Sequence, residues 1–380
     1  MTETEMLRLA LAAIFAINAL LLVTILVLKP VHRLRDQDRQ RRRRVYVSLL
    51  AQHLMTPEHR IQMGRRIADD QVFLDALIDI RTVVTGDEAE MLGTIVDRFD
   101  IVRTHGERLG RRWRGHRRLR DAVALAELAD TSAAEILIEH LSDREQEVRI
   151  QCARGLGRMR WAPGVDAILS RFDVETPWVR SRFSDSLVSY GDAATFPLLA
   201  YIATNHRLNT SGVPTAIRTL GAIGDPLAVR PMIDLLAEAV DTEVQIALVE
   251  VLGLIGGPMD LGPLEKAARS EDWRVRAKAA TALGSVGNDR IVDTLVAGLE
   301  DQNWWVRNNA AHALTLLPSG IDVLYMALLN DDRFARDAAS EALSDAGELL
   351  RARDRIEAGV GAGRDFDLLE YVTGRAVSTR

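Results

Sequence analysis

At 380 residues, with 47 % hydrophobic content and a net charge of −6, the chain can hold two or three ordinary domains or one repeat array, and it is too apolar to be disordered throughout. One cysteine, Cys152, excludes an internal disulfide and any cysteine-built zinc cage, and a charge split of 22 basic to 15 acidic residues over 1–120 against 26 to 39 beyond is not the footprint of a nucleic-acid binder. Only three of the 48 basic residues are Lys, so the many Arg clusters reflect composition before they suggest sites.

The first element is a tail, residues 1–8, followed by the uncharged stretch Leu9–Leu28, LALAAIFAINALLLVTILVL. As a helix at ~1.5 Å per residue it spans ~30 Å, the thickness of a hydrocarbon core, which predicts a transmembrane helix. A signal peptide would carry its basic segment in front. Here the basic segment follows, over 29–44, with Arg41, Arg42, Arg43 and Arg44 at its end. The positive-inside rule then places the body in the cytoplasm and the short tail outside, as for a single-pass protein of the bacterial inner membrane. The Arg run suits anionic lipid headgroups as well as the topology signal itself. Residues 45–115 read as an irregular helical cap. A second basic cluster, Arg108–Arg120, includes Arg111, Arg112 and Arg114 and fits lipid, an acidic partner or a solvated edge.

From about residue 116 to 350 the chain repeats. Leu156, Leu187, Leu220, Leu252, Leu283, Leu314 and Leu343 stand 29 to 33 residues apart. Apolar or small residues recur eight and four positions before each Leu and three after it, one face of a 3.6-period helix. Four after the Leu comes Gly191, Gly224, Gly256, Gly287, Pro318 or Gly347, which stop a helix; Arg160 is the exception. A second apolar helix follows, and then an acidic cap such as Asp143, Asp241, Asp272, Asp301 or Asp331. A weaker copy precedes these, from His116 to about His140. The prediction is an all-α fold: an α-solenoid of about seven to eight helix pairs behind a single transmembrane helix.

The segment DWRVRAKAATALGSVG, Asp272–Gly287, and its looser echo from Asn303 to Pro318 carry the pattern D-x-x-V-R-x-x-A-A-x-A-L-G-x-x-G. In this the chain resembles the short HEAT-like repeats named after the phycobiliprotein lyases. The resemblance implies the fold closely and the function loosely. It points first to a scaffold that binds a protein partner, and alternatively to a repeat-fold enzyme of the bilin-lyase type with a ligand in its concave groove. Iron-dependent hydroxylases built on similar repeats use paired His-Glu dipeptides, and none of the eight His here is followed by Glu. No Walker, zincin or nucleophile-elbow motif is present, and the expectation is no enzyme and no cofactor.

Within the repeat, Arg149, Arg180, Arg276, Arg307 and Arg336 each follow the core residue of a helix start. A cation there gains nothing from its own helix dipole, so the reading is an Arg–Asp ladder, with carboxylates such as Asp272 in the inter-repeat turns as partners. Trp178, Trp273, Trp304 and Trp305 fall one or two positions before the repeat Val. With Arg180 and Arg307 they are the candidate partner-binding residues; packing into the inter-repeat groove is the other reading. The unit around Leu220 replaces Val-Arg by Gly212-Val213-Pro214 after a polar connection over 204–213, either a hinge or plain loop drift. Residues 351–380 read as a Gly-containing tail.

Overall fold

The computed structural model describes residues 36–55, 67, 70–111, 115–207, 211–257 and 261–374, and within them every regular element is helical. The predicted membrane span Leu9–Leu28, together with Arg112 and Arg114, lies outside the described residues. Among the described residues no helix is long and apolar enough to cross a membrane. The chain divides into two compact units, Met1–Leu137 and Ile138–Arg380.

The first unit contains α1 (36–55), α2 (Gln71–Arg81), α3 (Asp87–Arg98), α4 (Ile101–Leu109) and α5 (Gly115–Leu128). Leu50, Phe73, Leu77, Leu92, Ile101 and Leu125 form its buried core. Phe73 meets Tyr46 and Phe99 edge-on at centroid distances of 5.5 and 6.2 Å. Beneath α4 and α5, His105 Nδ1 lies 2.8 Å from Asp121 Oδ1, both groups buried. A short helix, α6 (Ala134–Glu139), crosses the division of the chain.

The second unit is a run of seven helix pairs. Its first helices are α7 (Gln146–Met159), α9 (Pro177–Val188), α11 (Val213–Ile223), α13 (Thr242–Ile255), α15 (Trp273–Val286), α17 (Trp304–Leu314) and α19 (Arg333–Asp345). Their partners are α8 (Pro163–Leu169), α10 (Thr195–Asn205), α12 (Val229–Glu238), α14 (Gly262–Ala267), α16 (Val292–Leu299), α18 (Gly320–Ala327) and α20 (Glu348–Glu357). The seven marker leucines and Val148, Val179, Val244, Val275 and Val306 are all buried, at most 3 % exposed. The apolar face read from the 3.6-residue period is therefore the real core.

Local chemistry starts and stops these helices. Asp241, Asp272, Asn303 and Asp332 cap α13, α15, α17 and α19 by accepting from a backbone amide two or three residues on. The caps of α17 and α19 are thus Asn303 and Asp332 rather than Asp301 and Asp331. Arg160, the exception in the Gly slot, adopts φ 50°, ψ 40° at the end of α7, the left-handed conformation that Gly224 and Gly287 adopt at the same place. The chain keeps the turn without the residue that adopts it most easily.

Small residues set how closely consecutive first helices approach. A Cβ on Gly157 would lie 2.6 Å from the Ser186 carbonyl oxygen, and one on Gly253 or Gly284 would lie 2.6 Å from Ala282 or Ala313 Cβ. The Gly that follows the marker Leu is thus required by the backbone of the next repeat, a role distinct from the helix-stopping Gly three residues later.

Residues 351–380, expected to form a tail, begin in α20 and carry a further packed helix, α21 (Gly363–Thr373), on which Leu368 is fully buried. Asp365, also buried, accepts from the amide of Ala362 and pairs with Arg355 at 2.6 Å; Arg355 reaches Glu348 at 3.3 Å. Tyr325 lies beneath this cluster, and burial together with the charges of Glu348 and Asp365 pushes its pKa up to about 12. A charged cluster whose members are mutually bonded thus seals the C-terminal end of the repeats.

Candidate functional site

The Val-Arg pairs form a set of rungs, built mainly on carbonyl groups. Each Arg starts a helix, and its side chain leans back toward the helix N-terminus. It thereby reaches the turn ahead of its own helix, whose carbonyls lie one to three residues past the preceding helical element. Arg149 Nη1 donates to Asp143 O at 2.8 Å, Arg276 Nη1 to Ser270 O at 2.9 Å, Arg307 Nη1 to Asp301 O at 2.7 Å and Arg336 Nη1 to Asn330 O at 2.6 Å. Each acceptor lies six residues before its donor. The cation is therefore held by turn carbonyls and not by the dipole of its own helix.

Carboxylates join two of the rungs. Arg276 binds Asp301 through two bonds of 2.7 and 2.9 Å, and Arg149 pairs with buried Glu175 at 2.7 Å. Burial alone would raise the Asp301 pKa; the bonds from Arg276 and the Asn303 amide outweigh it and hold the carboxyl below its ordinary range. Asp272, expected as a rung partner, instead caps α15 and pairs with Arg274, which also binds Glu243 at 2.8 Å. Arg180 donates to Glu175 O at 2.9 Å and to Ser211 O, pinning the start of the irregular unit. Gln245, at the Arg position of α13, donates to Ala239 O at 2.7 Å, again six residues back. Its place in the repeat register was the available signal for this rung.

Arg180 and Arg307 are therefore buried, 6 % and 7 % exposed, and not part of a solvent-facing contact strip. The tryptophans behave oppositely. Trp178, Trp273, Trp304 and Trp305 keep 51, 40, 47 and 53 % of their surface exposed, so none of them is fully buried between repeats. Trp273 and Trp304 occupy the same position of consecutive first helices, α15 and α17. Trp305 and Phe334 occupy the next position of α17 and α19, and Phe334 is 60 % exposed. Trp304 and Trp305 pack edge-to-face at 4.6 Å. Together Trp273, Trp304, Trp305 and Phe334 make an aromatic edge across three repeats. Phe334 escaped the sequence reading, which followed Trp alone.

Trp178 stands apart. Between it and Trp273 the equivalent helix starts present Ser211 and Thr242-Glu243, so no continuous strip runs the length of the unit. Trp178 lies instead in a cleft of about 470 Å³ between α7 and α9, with the Arg182 guanidinium 5.8 Å from its ring centroid. At the chain's other end, Arg41, Arg42, Arg43 and Arg44 are exposed on α1, and two of the four are paired with carboxylates of the same unit. Arg42 pairs with Asp70 at 3.2 Å and Arg43 with Asp79 at 2.6 Å, while Arg39 holds Asp75 at 3.0 Å. Arg111 is exposed at the end of α4. The described residues contain no cluster of three or more His, Cys, Asp or Glu suited to a metal.

The family described as HEAT repeats matches residues 261–344, the segment that carries the whole aromatic edge. Among the described residues the regular structure is all helical, and the HEAT-repeat likeness by family model is confined to that segment. No curated protein matches it. Among solved structures it is similar to human deoxyhypusine hydroxylase in complex with glycerol, at 18 % identity, covering 68 % of this chain and 99 % of that one, TM-score 0.29. It is similar too to the complex of CpcE and CpcF of phycocyanin lyase from Nostoc sp. PCC7120, at 18 % identity over 64 % of this chain and 94 % of that one, TM-score 0.30. The karyopherin Kap121p bound to the extreme C-terminus of the protein phosphatase Cdc14p aligns at 13 % identity over 87 % of this chain and 41 % of that one, TM-score 0.48.

Proposed function

We propose that the chain is a membrane-tethered scaffold whose repeat unit holds a protein partner at the edge formed by Trp273, Trp304, Trp305 and Phe334. The observation that carries this reading is the exposure of four large aromatic rings on adjacent helix starts of a repeat unit. Exposed aromatic rings grouped on one surface mark interaction sites, and Trp is the residue most enriched in binding hot spots. Stacked repeats offer extended surfaces suited to that task. The tether rests on Leu9–Leu28 and the basic residues behind it, which favour the inner membrane of a bacterium with the repeats in the cytoplasm. Its use is to raise the concentration of the edge near membrane partners. On this reading the unit acts by recruitment and not by turnover.

The test is a tagged pull-down from native membranes in mild detergent, comparing the full chain with a Trp304→Glu, Trp305→Glu variant. The expected result is one membrane protein retained by the first and lost from the second. Equal retention by both would move the site elsewhere, and no specific retention by either would remove the scaffold reading. Alkaline extraction of the same membranes checks the tether: the full chain stays with the pellet, and a chain without residues 1–28 is released.

A further inference from the structure

We propose that the segment held at this edge is an extended, cationic stretch of the partner, rich in Arg or Lys; the proposal rests on the scaffold reading above. The charge around the aromatic rings carries it. The two turns framing the Trp304–Trp305 pair, 300–303 and 330–332, contain Glu300, Asp301, Asp331 and Asp332 and no basic residue. Asp301 is answered by Arg276. Glu300 accepts only a neutral bond, from Asn330 at 2.8 Å, and Asp332 spends one oxygen on the α19 amide of Phe334. Glu300 and Asp331 are exposed. Of the cations beside these turns, Arg307 is withdrawn beneath the edge, where its donors serve turn carbonyls, and Arg333 lies 3.7 Å from Asp337 on its own helix. A negative rim therefore surrounds exposed indole faces, and an indole face is itself the best aromatic partner of a cation. Arg307 shows the geometry from the inside, its guanidinium 4.9 Å from the Phe334 centroid.

The spacing favours an extended backbone. The rings recur once per repeat, on helices packed roughly 8–10 Å apart. A polyproline-type chain advances ~9 Å in three residues, so every third side chain meets the next repeat's ring. Trp178 is the internal comparison, since the chain's own Arg182 already lies over its ring; Phe334 is met by Arg307 in the same way, so the cation contacts fall to the indoles of Trp273, Trp304 and Trp305.

The experiment titrates the full chain, in detergent micelles, against a labelled peptide of about twelve residues built from Arg-Pro-Ala triplets, read by fluorescence anisotropy. A peptide with Glu in place of Arg and a Lys/Leu amphipathic helix run in parallel. The Arg peptide is expected to bind at least roughly tenfold more tightly than either. Trp305→Ala, and separately the exposed pair Glu300→Lys, Asp331→Lys, each weaken it about tenfold or more. Trp178→Ala and the control pair Glu341→Lys, Asp345→Lys, at the far end of α19, change it less than about twofold. Circular dichroism confirms that each variant stays helical. Equal binding of the Glu peptide, or an unchanged affinity in Trp305→Ala, overturns the proposal; tighter binding of the amphipathic helix overturns its extended form. Competition separates this failure from that of the scaffold reading. A native partner lost from the Trp304→Glu, Trp305→Glu variant yet untouched by the Arg peptide leaves the scaffold standing and removes the cationic segment.

Discussion

Two residues apart on α17, Trp305 and Arg307 have opposite fates. Arg307 is buried and bonds the turn before its helix, whereas Trp305 is half-exposed and touches mainly its neighbour Trp304. The same pairing of a withdrawn cation and an outward ring recurs at the start of α19, where Arg336 reaches Asn330 O and Phe334 faces solvent. The difference shows that a charged residue repeated in five of the seven units is explained by something those units share, namely the carbonyls of the turn ahead of the helix. Aromatic residues concentrated in three units need a cause that those units alone possess. On the proposed reading the rungs belong to stability and the edge to binding, and substitutions can separate them.

The largest effect is expected at the rung made by Arg276. Arg276→Leu removes two bonds to Asp301 and two to turn carbonyls, leaving a mostly buried carboxylate without its cation. The expected loss is about 2–3 kcal/mol, read from chemical denaturation of the full chain. A double-mutant cycle with Asp301→Asn should be strongly non-additive, because the second substitution removes the charge that the first had stranded. Additive losses would mean that the two side chains act independently, and the rung would then be a coincidence of composition with no coupling energy of its own.

Next come two glycines three residues apart. Gly284→Val places a branched side chain whose Cβ lies 2.6 Å from Ala313 Cβ and 2.7 Å from Ala313 Cα, with no flexible neighbour to yield. About 2 kcal/mol of overpacking is expected there, despite the better helix propensity of Val. Gly287→Ala meets open space and is charged only for its φ of +68°, about 1 kcal/mol. Thermal unfolding of the two variants ranks them. The reverse order would mean that helix termination, not close approach of α15 and α17, dictates this part of the repeat.

The periodic part of the fold was legible because burial repeats with the helix. Seven leucines at near-constant spacing disclosed the register, and Cys152, read as one more core residue beside Phe183 and Leu248, is fully buried with them. The rungs were legible as a position but not in their bonding. Acceptor carbonyls belong to every residue, so sequence could show the Arg and the Asp but not the backbone oxygens between them. Gln245 and Phe334 were hidden by the habit of following one residue type, although their places in the register mark both. The pairing of Arg42 and Arg43 with Asp70 and Asp79 joins residues about thirty positions apart with no repeat to relate them, and nothing local in either segment announces it.

The smallest effect on stability is expected where the effect on function is greatest. Trp305 is 53 % exposed, so Trp305→Ala removes surface that is already half in water and one edge-to-face contact with Trp304. Such a contact contributes about 0.5–1.5 kcal/mol at most, and an exposed site usually less, so unfolding should shift by under about 1 kcal/mol. A residue kept for packing would show the opposite balance, a large loss of stability and a proportionate loss of binding. The ratio of the two losses, measured on one variant, therefore decides whether the aromatic edge is a surface held ready for a partner or an unfinished part of the core.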